Sequence, residues 1–480
     1  MSVDAINDFL KTEAGRIGTD VNRRIINTSP WINMTPQEAW PEGMGVTIQT
    51  FEFDRPIISN SSKTNTTEEY DWGNVAEDAS EADAYGGTCI PQVDNVTFST
   101  QHRNYNLQQK AIHGPRLCVN HLRYTFVREK QMAASVKALA DQGRLSWIKR
   151  FRDEYKRVSA NLAVCDSAFS LDGDDYNSMV FPAYSGSTGS ALTNGYLEYA
   201  YEYLNHQSAQ SHALGNENGA PVYGLITSAR SSRRVVFDNS DIRTDFRESG
   251  RVGELLHPLG VKYSYNGFVH MVDDLVDRWE SYQTAASGGD GLQTVSIASD
   301  GATASFSETG ATMTGITKGS ELTVGAQKLI VTAVTSQTTA TVTTSTGGVA
   351  TLASPAYFHM WKKVNPYSYT VAGSVGKRMP NPNWLNATWE DSYIFIGCTC
   401  TSVVPRPITS VGMAKFNPVN YRGEFSWKNW EDEENNPDGN IGRFRGVLMN
   451  GTRPDYPEFG IVLRSKACPN AYGAVTTCAT

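Results

Sequence analysis

The sequence predicts an α+β protein that carries an additional small all-β module. Residues 121–165 contain no proline and place apolar side chains at helical spacing, which predicts one long helix. Residues 170–285 then alternate helix and strand patterns, as is typical of α+β domains. Residues 286–353 change abruptly to a composition rich in Thr, Ser, Ala, Val and Gly, and their short alternating strands predict a small β-sandwich or barrel.

Length and charge narrow the classes of function. The chain has 480 residues and a formal net charge of -8, so bulk charge does not favour wrapping nucleic acid or reading a DNA sequence. No apolar run reaches about 18 residues, so no transmembrane helix is expected. The amino terminus lacks the basic start and apolar block of a signal peptide. We therefore expect a protein kept inside a cell, with its seven cysteines reduced.

Residues 1–85 predict an arm rather than a domain. A short amphipathic helix is expected near the start, with Ile6, Phe9 and Leu10 on one side. Prolines and small polar residues dominate the remainder, which includes the tract SNSSKTNTTEEYDW. Such a segment has little apolar surface for a core of its own, so we expect it to lie against something else.

Residues 86–118 predict two long polar strands joined into an extended loop. Val96 and Phe98 alternate with polar neighbours, and Tyr105 and Leu107 resume the same alternation. A Gly-Pro turn follows in the segment IHGPRL. Two strands with so little apolar surface cannot pack a core of their own, so they also need another surface.

The long helix predicted over residues 121–165 has one apolar stripe and one strongly charged face. Gly143 is expected to kink or divide it. The run KRFRDEYKR on its other faces has mixed signs, which favours a solvated face or one that meets another subunit over a nucleic-acid patch. The predicted packing stripe consists of Ile148, Phe151, Tyr155, Val158 and Leu162.

No motif predicts catalysis or metal binding. The cysteines contain no C-x-x-C, the eight histidines contain no H-x-x-x-H, and neither a P-loop nor a dinucleotide fingerprint occurs. The segment YSGSTGSAL lacks the strand–elbow–helix setting of a G-x-S-x-G nucleophile. The acid pairs Asp174-Asp175 and Asp273-Asp274 are interpreted as solvated or turn residues. We therefore expect no catalytic residue, no cofactor and no metal.

The order of these elements resembles the major capsid protein of tailed bacteriophages, whose shell fold was first described for phage Hong Kong 97. The matching segments are YNLQQKAI before the L-x-Y-x-F entry to the helix, GAPVYGLITSA, IRTDFRESG, LGVKYSYNGFVHMVDD, and FNPVNYRGEFSWKNW leading to NNPDGNIGRFRG. The resemblance covers most of the chain. It implies a Hong Kong 97-like fold with an N-terminal arm, an extended β-hairpin loop, a long spine helix, an axial domain and an inserted small all-β domain.

The resemblance also implies domain limits and a contact role. The implied domains are the arm (1–85), the extended loop (86–118), the peripheral domain with the spine helix (119–169 and 401–480), the axial domain (170–285 and 354–400) and the inserted domain (286–353). In this family the extended loop lies across a neighbouring subunit. The residues thereby expected at a subunit interface are Val96, Phe98, Arg103, Tyr105, Leu107 and Lys110.

The function implied by the resemblance is structural rather than enzymatic. The chain is expected to assemble with itself into hexamers and pentamers of an icosahedral shell that encloses double-stranded DNA without sequence-specific binding. Further expected partners are a separate scaffolding protein, a portal and a decoration protein, with no membrane. The expected location is the virion, after assembly in the host bacterial cytoplasm.

Two other interpretations stay open. An encapsulin-like cargo compartment shares the shell fold, and tail or fibre proteins also carry Thr/Gly-rich β modules. The arm and the inserted module favour a virion over a cargo compartment, and the long helix argues against a fibre.

Overall fold

The computed structural model of the chain contains both helices and sheets, which confirms the predicted α+β class. It describes residues 3–28, 31, 34–35, 37–39, 47–53, 57–58, 96–97, 100–106, 108–159, 161–165, 190–206, 209, 213–217, 219–238, 261–265, 267–273, 275–283, 294–306, 317–324, 327–336, 338–344, 347–351, 356–365, 367–368, 379–380, 389–394, 400–404, 408–410, 413–415, 426–429, 441–456 and 459–467.

The helices of the described residues differ widely in length. They are α1 (Val3–Thr28), α2 (Thr125–Val158), α3 (Asn194–His206) and α4 (Ala229–Asp238), with a 3-10 turn at His121–Arg123 before α2. Helix α2 has 34 residues and is therefore about 50 Å long.

The strands are mostly short. Before α4 they are β1 (Gln37–Ala39), β2 (Thr47–Phe53), β3 (Ile57–Ile58), β4 (Val96–Thr97), β5 (Thr100–Asn106), β6 (Gln108–His113), β7 (Leu117–Cys118), β8 (Asn161–Val164), β9 (Gly215–Glu217) and β10 (Ala220–Thr227). After α4 they are β11 (Val261–Tyr265), β12 (Phe268–Val272), β13 (Arg278–Gln283), β14 (Thr294–Ile297), β15 (Thr303–Phe306), β16 (Glu321–Val324), β17 (Gln327–Val334), β18 (Thr339–Thr344), β19 (Ala356–Tyr357), β20 (His359–Lys363), β21 (Tyr367–Ser368), β22 (Met379–Pro380), β23 (Trp389–Ile394), β24 (Cys400–Val404), β25 (Ile408–Ser410), β26 (Met413–Lys415), β27 (Ser426–Asn429), β28 (Ile441–Pro454) and β29 (Ile461–Lys466).

The chain divides into two compact units. The smaller unit is Pro41–Leu107, and the larger unit comprises Met1–Trp40 and Gln108–Thr480. In the smaller unit β2 pairs antiparallel with β5, and β3 pairs antiparallel with β4. The prediction that the two strands of the extended loop pair with each other is wrong. Only one residue separates β5 from β6, which is too short for a hairpin turn, and β6 pairs instead with β28 in the larger unit.

Two sheets organise the larger unit. The small sheet has the order β1-β24-β28-β27, with β6 and β7 also bonded to the long strand β28. The large sheet has the order β11-β12-β10-β23-β13-β20-β16-β17-β18-β15-β14-β19, and β29 joins β23 to β8. Most pairs are antiparallel, but β1–β24, β10–β12 and β29–β8 are parallel.

Helix α1 is much longer than the short helix predicted for the arm, and it packs along α2. Phe9 was predicted beside Ile6 and Leu10, but it lies off their face. Ile6 and Leu10 are four residues apart and share a helix face, whereas Phe9 is rotated by about 100° from Leu10 and is 36% exposed. The buried stripe of α1 is Ile6, Leu10, Ala14, Ile17, Val21 and Ile25.

Gly143 serves the contact between these two helices. Helix α2 continues through Gly143 without a break, so the predicted division is wrong, and a kink at this position stays a prediction. A Cβ atom at this position would lie 2.6 Å from Cδ1 of Ile25. The missing side chain therefore lets α1 approach α2 closely.

Aromatic side chains form the core under α2. The rings of Trp147 and Phe151 are stacked with their centroids 5.1 Å apart. Trp31 contacts Tyr393 edge-on at 5.0 Å and Phe151 at 6.1 Å, and Tyr155 contacts Tyr393 at 5.9 Å. The residues that follow α1 are thus tied into the same core as the long helix.

Helix α2 ends earlier than predicted. The backbone N–H and the hydroxyl of Ser159 both donate to the carbonyl oxygen of Tyr155, at 2.9 and 2.6 Å. Leu162, predicted to be the last residue of the helical stripe, therefore lies in β8, where it pairs with Val462 of β29. It is buried in the same hydrophobic cluster as Phe151. The sequence pattern did not reveal the end of the helix, because a spacing of four residues fits one face of a helix and also one face of a strand.

The module predicted over residues 286–353 has a hydrophobic core of its own. Its cluster also includes Phe358 and Met360, which follow the predicted limit. Strand β16 pairs with β20, so the module extends the large sheet of the body without a gap in hydrogen bonding. The remaining members of this cluster are Val295, Ala304, Phe306, Leu322, Leu329, Val331, Ala340, Val342 and Ala350.

Truncation of Phe151 tests the core under α2. Phe151→Ala is expected to lower the free energy of unfolding by about 3–5 kcal/mol, because the ring is fully buried and a cavity remains. Phe126→Ala is the matched control, since Phe126 lies on the same helix and is 66% exposed. Urea denaturation measures both variants, and equal losses would mean that the stripe does not face a core.

Candidate functional site

The residues predicted at a subunit interface do not form one group. Arg103 and Tyr105 lie in β5, opposite β2, and Val96 lies in β4, opposite β3. All three belong to the unit Pro41–Leu107. Phe98 and Leu107 lie outside the described residues.

Lys110 belongs to the larger unit. It lies in β6, where its register partner is Leu448 of β28. The extended loop as predicted therefore spans two structural settings, a strand pair in one unit and an edge strand of the small sheet in the other.

The predicted packing residues of the spine helix are largely buried. Ile148 is 1% exposed, and Phe151 and Tyr155 are fully buried. Val158 is partly buried against the same cluster. The hydroxyl of Tyr155 donates to the carbonyl oxygen of Ile394, which ties the helix to β23.

A buried charge cluster lies beside this stripe, and sequence analysis missed it. Its side chains come from α2, from the residue before β13, and from β16, β17, β20, β23 and β29. The charge cluster consists of Arg152, Lys156, Asp277, Glu321, Lys328, Lys363, Asp391 and Arg464. The interpretation of the run KRFRDEYKR as an outward face is wrong for Arg152 and Lys156, which are 8% and 9% exposed.

Asp391 is the carboxylate at the centre of the body. It accepts hydrogen bonds from Nε and Nη2 of Arg464 at 2.8 and 3.2 Å. Nζ of Lys156 donates to it at 3.0 Å. Asp391 and Arg464 lie on neighbouring strands as register partners, and Lys156 reaches them from α2.

Glu321 brings the module into the same cluster. Lys156 contacts its Oε1 at 2.7 Å, and Lys328 contacts that same oxygen at 3.5 Å. Nη1 of Arg464 donates to its Oε2 at 3.1 Å. One carboxylate of the module thus faces three cations, two of which belong to the body.

Asp277 joins the cluster beside Arg152, which precedes Lys156 on α2. Nη2 of Arg152 lies 2.9 Å from its Oδ1, and Nζ of Lys363 lies 3.0 Å from the same oxygen. Arg152 also donates to the carbonyl oxygen of Leu275. These contacts fix the chain just before β13 against α2.

Two tryptophan rings enclose the cations. The guanidinium carbon of Arg464 lies 4.2 Å from the ring centroid of Trp279 and 4.7 Å from that of Trp361. Nζ of Lys156 lies 3.9 Å from the centroid of Trp279. Ring faces attract cations and exclude water, so they strengthen the ion pairs that they cover.

A fourth buried carboxylate, Glu390, anchors the start of α4. The hydroxyl groups of Ser228 and Ser231 donate to it, and Arg230 donates at 3.1 Å. The hydroxyl oxygen of Ser228 also accepts from the backbone N–H of Arg230 and Ser231 at 3.2 and 3.1 Å, which makes Ser228 an N-cap. Nε of Arg278 lies 3.6 Å from Glu390.

The electrostatics of the cluster reflect an excess of cations. Burial alone would raise the pKa of Glu321, but Lys156, Lys328 and Arg464 hold it well below its usual range. Burial likewise opposes ionisation of Asp277, yet Arg152 and Lys363 lower its pKa. Burial, together with the nearby cations Lys156 and Arg464, lowers the pKa of Lys328 to about 8. The carboxylate of Glu321 raises this pKa and so offsets only part of the shift.

This arrangement holds structure together rather than preparing a reaction. Asp277, Glu321 and Asp391 each accept from at least two cations, so none is poised as a general base. In the described part of the chain no three His, Cys, Asp or Glu side chains are grouped as metal ligands. None of the described helices is long and apolar enough to cross a membrane.

Comparison with known proteins gives similarity in structure alone. No protein-family model matches the chain, and no curated protein matches it. It is similar to the capsid of Ralstonia phage GP4, with 9% identity and a TM-score of 0.39 over 91% of this chain and 88% of that chain. It is similar to the Cyanophage Pam1 capsid, with 8% identity and a TM-score of 0.40 over 92% and 93%. A virus-like particle from Pyrococcus furiosus gives 7% identity and a TM-score of 0.34 over 93% and 97%.

Neutralising Glu321 tests the link between module and body. Glu321→Gln leaves its three cations with one carboxylate fewer, so we expect a loss of about 3–5 kcal/mol in the free energy of unfolding. Glu280→Gln is the control, because its ion pair with Lys362 at 3.0 Å is partly exposed and should be worth less than about 1 kcal/mol. A similar loss in both variants, measured by urea denaturation, would contradict a special role for the cluster.

Removing the charge of Lys328 should raise the free energy of unfolding, whereas neutralising Glu321 should lower it. The unfolded chain keeps this lysine protonated up to a pKa of about 10.5, whereas the folded chain releases the proton near pH 8. Stability should therefore rise between about pH 8 and pH 10.5, where the unfolded chain binds more protons. Lys328→Met is expected to be more stable by about 1–3 kcal/mol at pH 7, because the lowered pKa means that burying this charge costs the folded chain free energy, and to lack this rise. Thermal unfolding from pH 7 to 10 checks both, and a less stable variant would contradict the assignment.

Proposed function

We propose that this chain is the major capsid protein of a tailed bacteriophage. In this role it forms hexamers and pentamers of an icosahedral shell around double-stranded DNA. The protein acts as a structural element and not as an enzyme. Its location is the virion, which it reaches after assembly in the host bacterial cytoplasm.

The observation that carries the proposal is the separate unit Pro41–Leu107. Its described residues form two strand pairs, β2–β5 and β3–β4. A two-stranded ribbon is marginally stable by itself in water, so it needs a surface to lie on. The extended loop of a shell subunit obtains that surface from its neighbour, which explains why a chain would maintain such a unit.

The body supports the same role. Helix α2 lies on an aromatic core, and the charge cluster binds its carboxyl-terminal third to the large sheet and the module. A shell subunit has to keep its shape while contacts with several neighbours pull on it, and a long helix fixed along its length suits that demand. The family resemblance stated above assigns α2 as the spine helix.

The domain roles follow from the same proposal. Residues 1–40 act as the arm and the unit Pro41–Leu107 as the extended loop, in place of the bounds 1–85 and 86–118 expected from the sequence. Residues 119–169 and 401–480 form the peripheral domain, and 170–285 with 354–400 form the axial domain. The module 286–353 is an inserted domain displayed on the outer surface. Partners are further copies of the chain, a separate scaffolding protein, a portal and a decoration protein.

Electron microscopy of the purified protein tests the function itself. The proposal expects closed icosahedral shells, and native particles are expected to contain DNA. Fibres or unassembled subunits with a catalytic activity would overturn it. Closed shells filled with protein in place of DNA would instead identify an encapsulin-like cargo compartment.

Shortening the separate unit tests the contact. Phe53 of β2 and Thr100 of β5 are register partners, so residues 54–99 can be replaced by an Asn-Gly turn that keeps this pair in register. We expect soluble subunits with an unchanged melting temperature that form no closed shells, because the loop no longer reaches its neighbour. Gradient sedimentation and electron microscopy measure assembly, and normal shells would show that the loop is dispensable.

A further inference from the structure

The two units differ sharply in charge. Residues 41–107 contain eleven acidic and three basic residues, a net charge of -8. The whole chain also has a net charge of -8, so the larger unit is neutral overall. The acids concentrate in residues 68–83, here named the acidic segment, which contains seven acidic residues and neither Lys nor Arg.

The larger unit carries a basic surface on its small sheet. Arg443 and Arg445 lie two residues apart in β28, on either side of Phe444, which is fully buried against Trp427. Because side chains alternate along a strand, the two arginines project from the face opposite this core. Arg445 is exposed, whereas Phe444 on the other face is not.

Two further side chains, His113 and the cation Arg116, come from the neighbouring strand β6 and the residue before β7. His113 of β6 is the register partner of Arg445, and the exposed Arg116 directly precedes β7, which also pairs with β28. Burial and the nearby charges of Arg443 and Arg445 lower the pKa of His113. His113, Arg116, Arg443 and Arg445 are here named the basic face.

We propose that the acidic segment of one copy of the chain docks on the basic face of a second copy. The proposal rests on the proposed shell function and adds the partner surface and the force that holds the extended loop there. Seven carboxylates in one segment can accept charge-assisted hydrogen bonds from the guanidinium groups of this face. Docking thereby lets a unit with a net charge of -8 approach a body that is neutral overall.

A nucleic acid is the less favoured occupant of the basic face. Phosphates suit the same arginines, but the chain has a net charge of -8, which does not favour binding of a polyanion. A second copy of the chain supplies an acidic segment of opposite charge. Its local concentration is high, because the copies lie side by side in the assembly. The contact is therefore expected to weaken with salt, because screening acts on exposed charges.

Charge exchange tests the pairing in the full chain. The basic-face variant is Arg443→Glu with Arg445→Glu, and the acidic-segment variant is Glu77→Lys with Asp78→Lys. The compensated variant contains all four changes and keeps the net charge of the natural chain. The control is Lys11→Glu with Arg16→Glu, which changes the net charge as much as the basic-face variant does, at side chains of α1 that are 63% and 78% exposed.

Assembly into closed shells, measured by gradient sedimentation and electron microscopy, is the readout. The basic-face and acidic-segment variants are each expected to reduce shell yield about tenfold or more, with melting temperatures close to that of the natural chain. The compensated variant should recover the yield to within about twofold, and the control should assemble normally. Shell yield of the natural chain should also fall as salt is raised.

Three results would overturn the pairing. Normal assembly of either charge variant would show that these charges do not hold the loop. Failure of the compensated variant to recover would show that the two surfaces have other partners. Loss of duplex DNA binding with normal assembly in the basic-face variant would assign the face to nucleic acid. In each case the excision of residues 54–99 can still block shells, so the proposed function is judged separately.

A natural chain that forms no closed shells at all would overturn the proposed function instead. The pairing is then tested by sedimentation of the subunits in solution. Association of the natural chain that is lost in each charge variant and regained in the compensated one would still support it. Association that ignores the substitutions would overturn it.

Discussion

The buried charge cluster is the constraint on which the rest of the body depends. Arg464, fully buried between two tryptophan rings, binds Asp391 of the sheet and Glu321 of the module, and Lys156 brings α2 to the same two carboxylates. Buried ions cost several kcal/mol to desolvate unless each finds its partners. The position of helix, sheet and module is therefore specified jointly, because a shift of any one leaves a charge buried without its counterpart.

Charge is used differently at the surface of the chain. Inside the body, opposite charges are matched at distances near 3 Å and shielded from water. Between the two units, the net negative charge falls on residues 41–107, and the basic face lies on the larger unit, which is neutral overall. Exposed charges of this kind contribute little to the stability of one subunit, but they can direct which surfaces meet. Folding and association thus draw on separate sets of residues.

The sequence predicted the α+β class, the long helix and the β character of residues 294–344, because each rests on local periodicity. It misplaced Leu162, since a four-residue spacing fits both the end of a helix and the strand that follows. It also missed the charge cluster, as Arg152 and Lys156 stand in a mixed-charge run that looks like a solvated face. Their partners lie more than 100 residues away, and only tertiary structure brings such residues together. The strand partner of β5 was missed for the same reason.

The module's carboxylate has a consequence for engineering. Exchanging the whole module for a foreign domain would delete Glu321 and Lys328 together and leave Lys156 and Arg464 with Asp391 as their remaining partner in the cluster. A foreign peptide is better grafted at the turn of Gly347, where the backbone has φ 82° and a Cβ atom would meet nothing within 4 Å. The same constraint applies to natural recombination. A module that carries such a carboxylate fits a new body only if that body provides cations at the positions of Lys156 and Arg464.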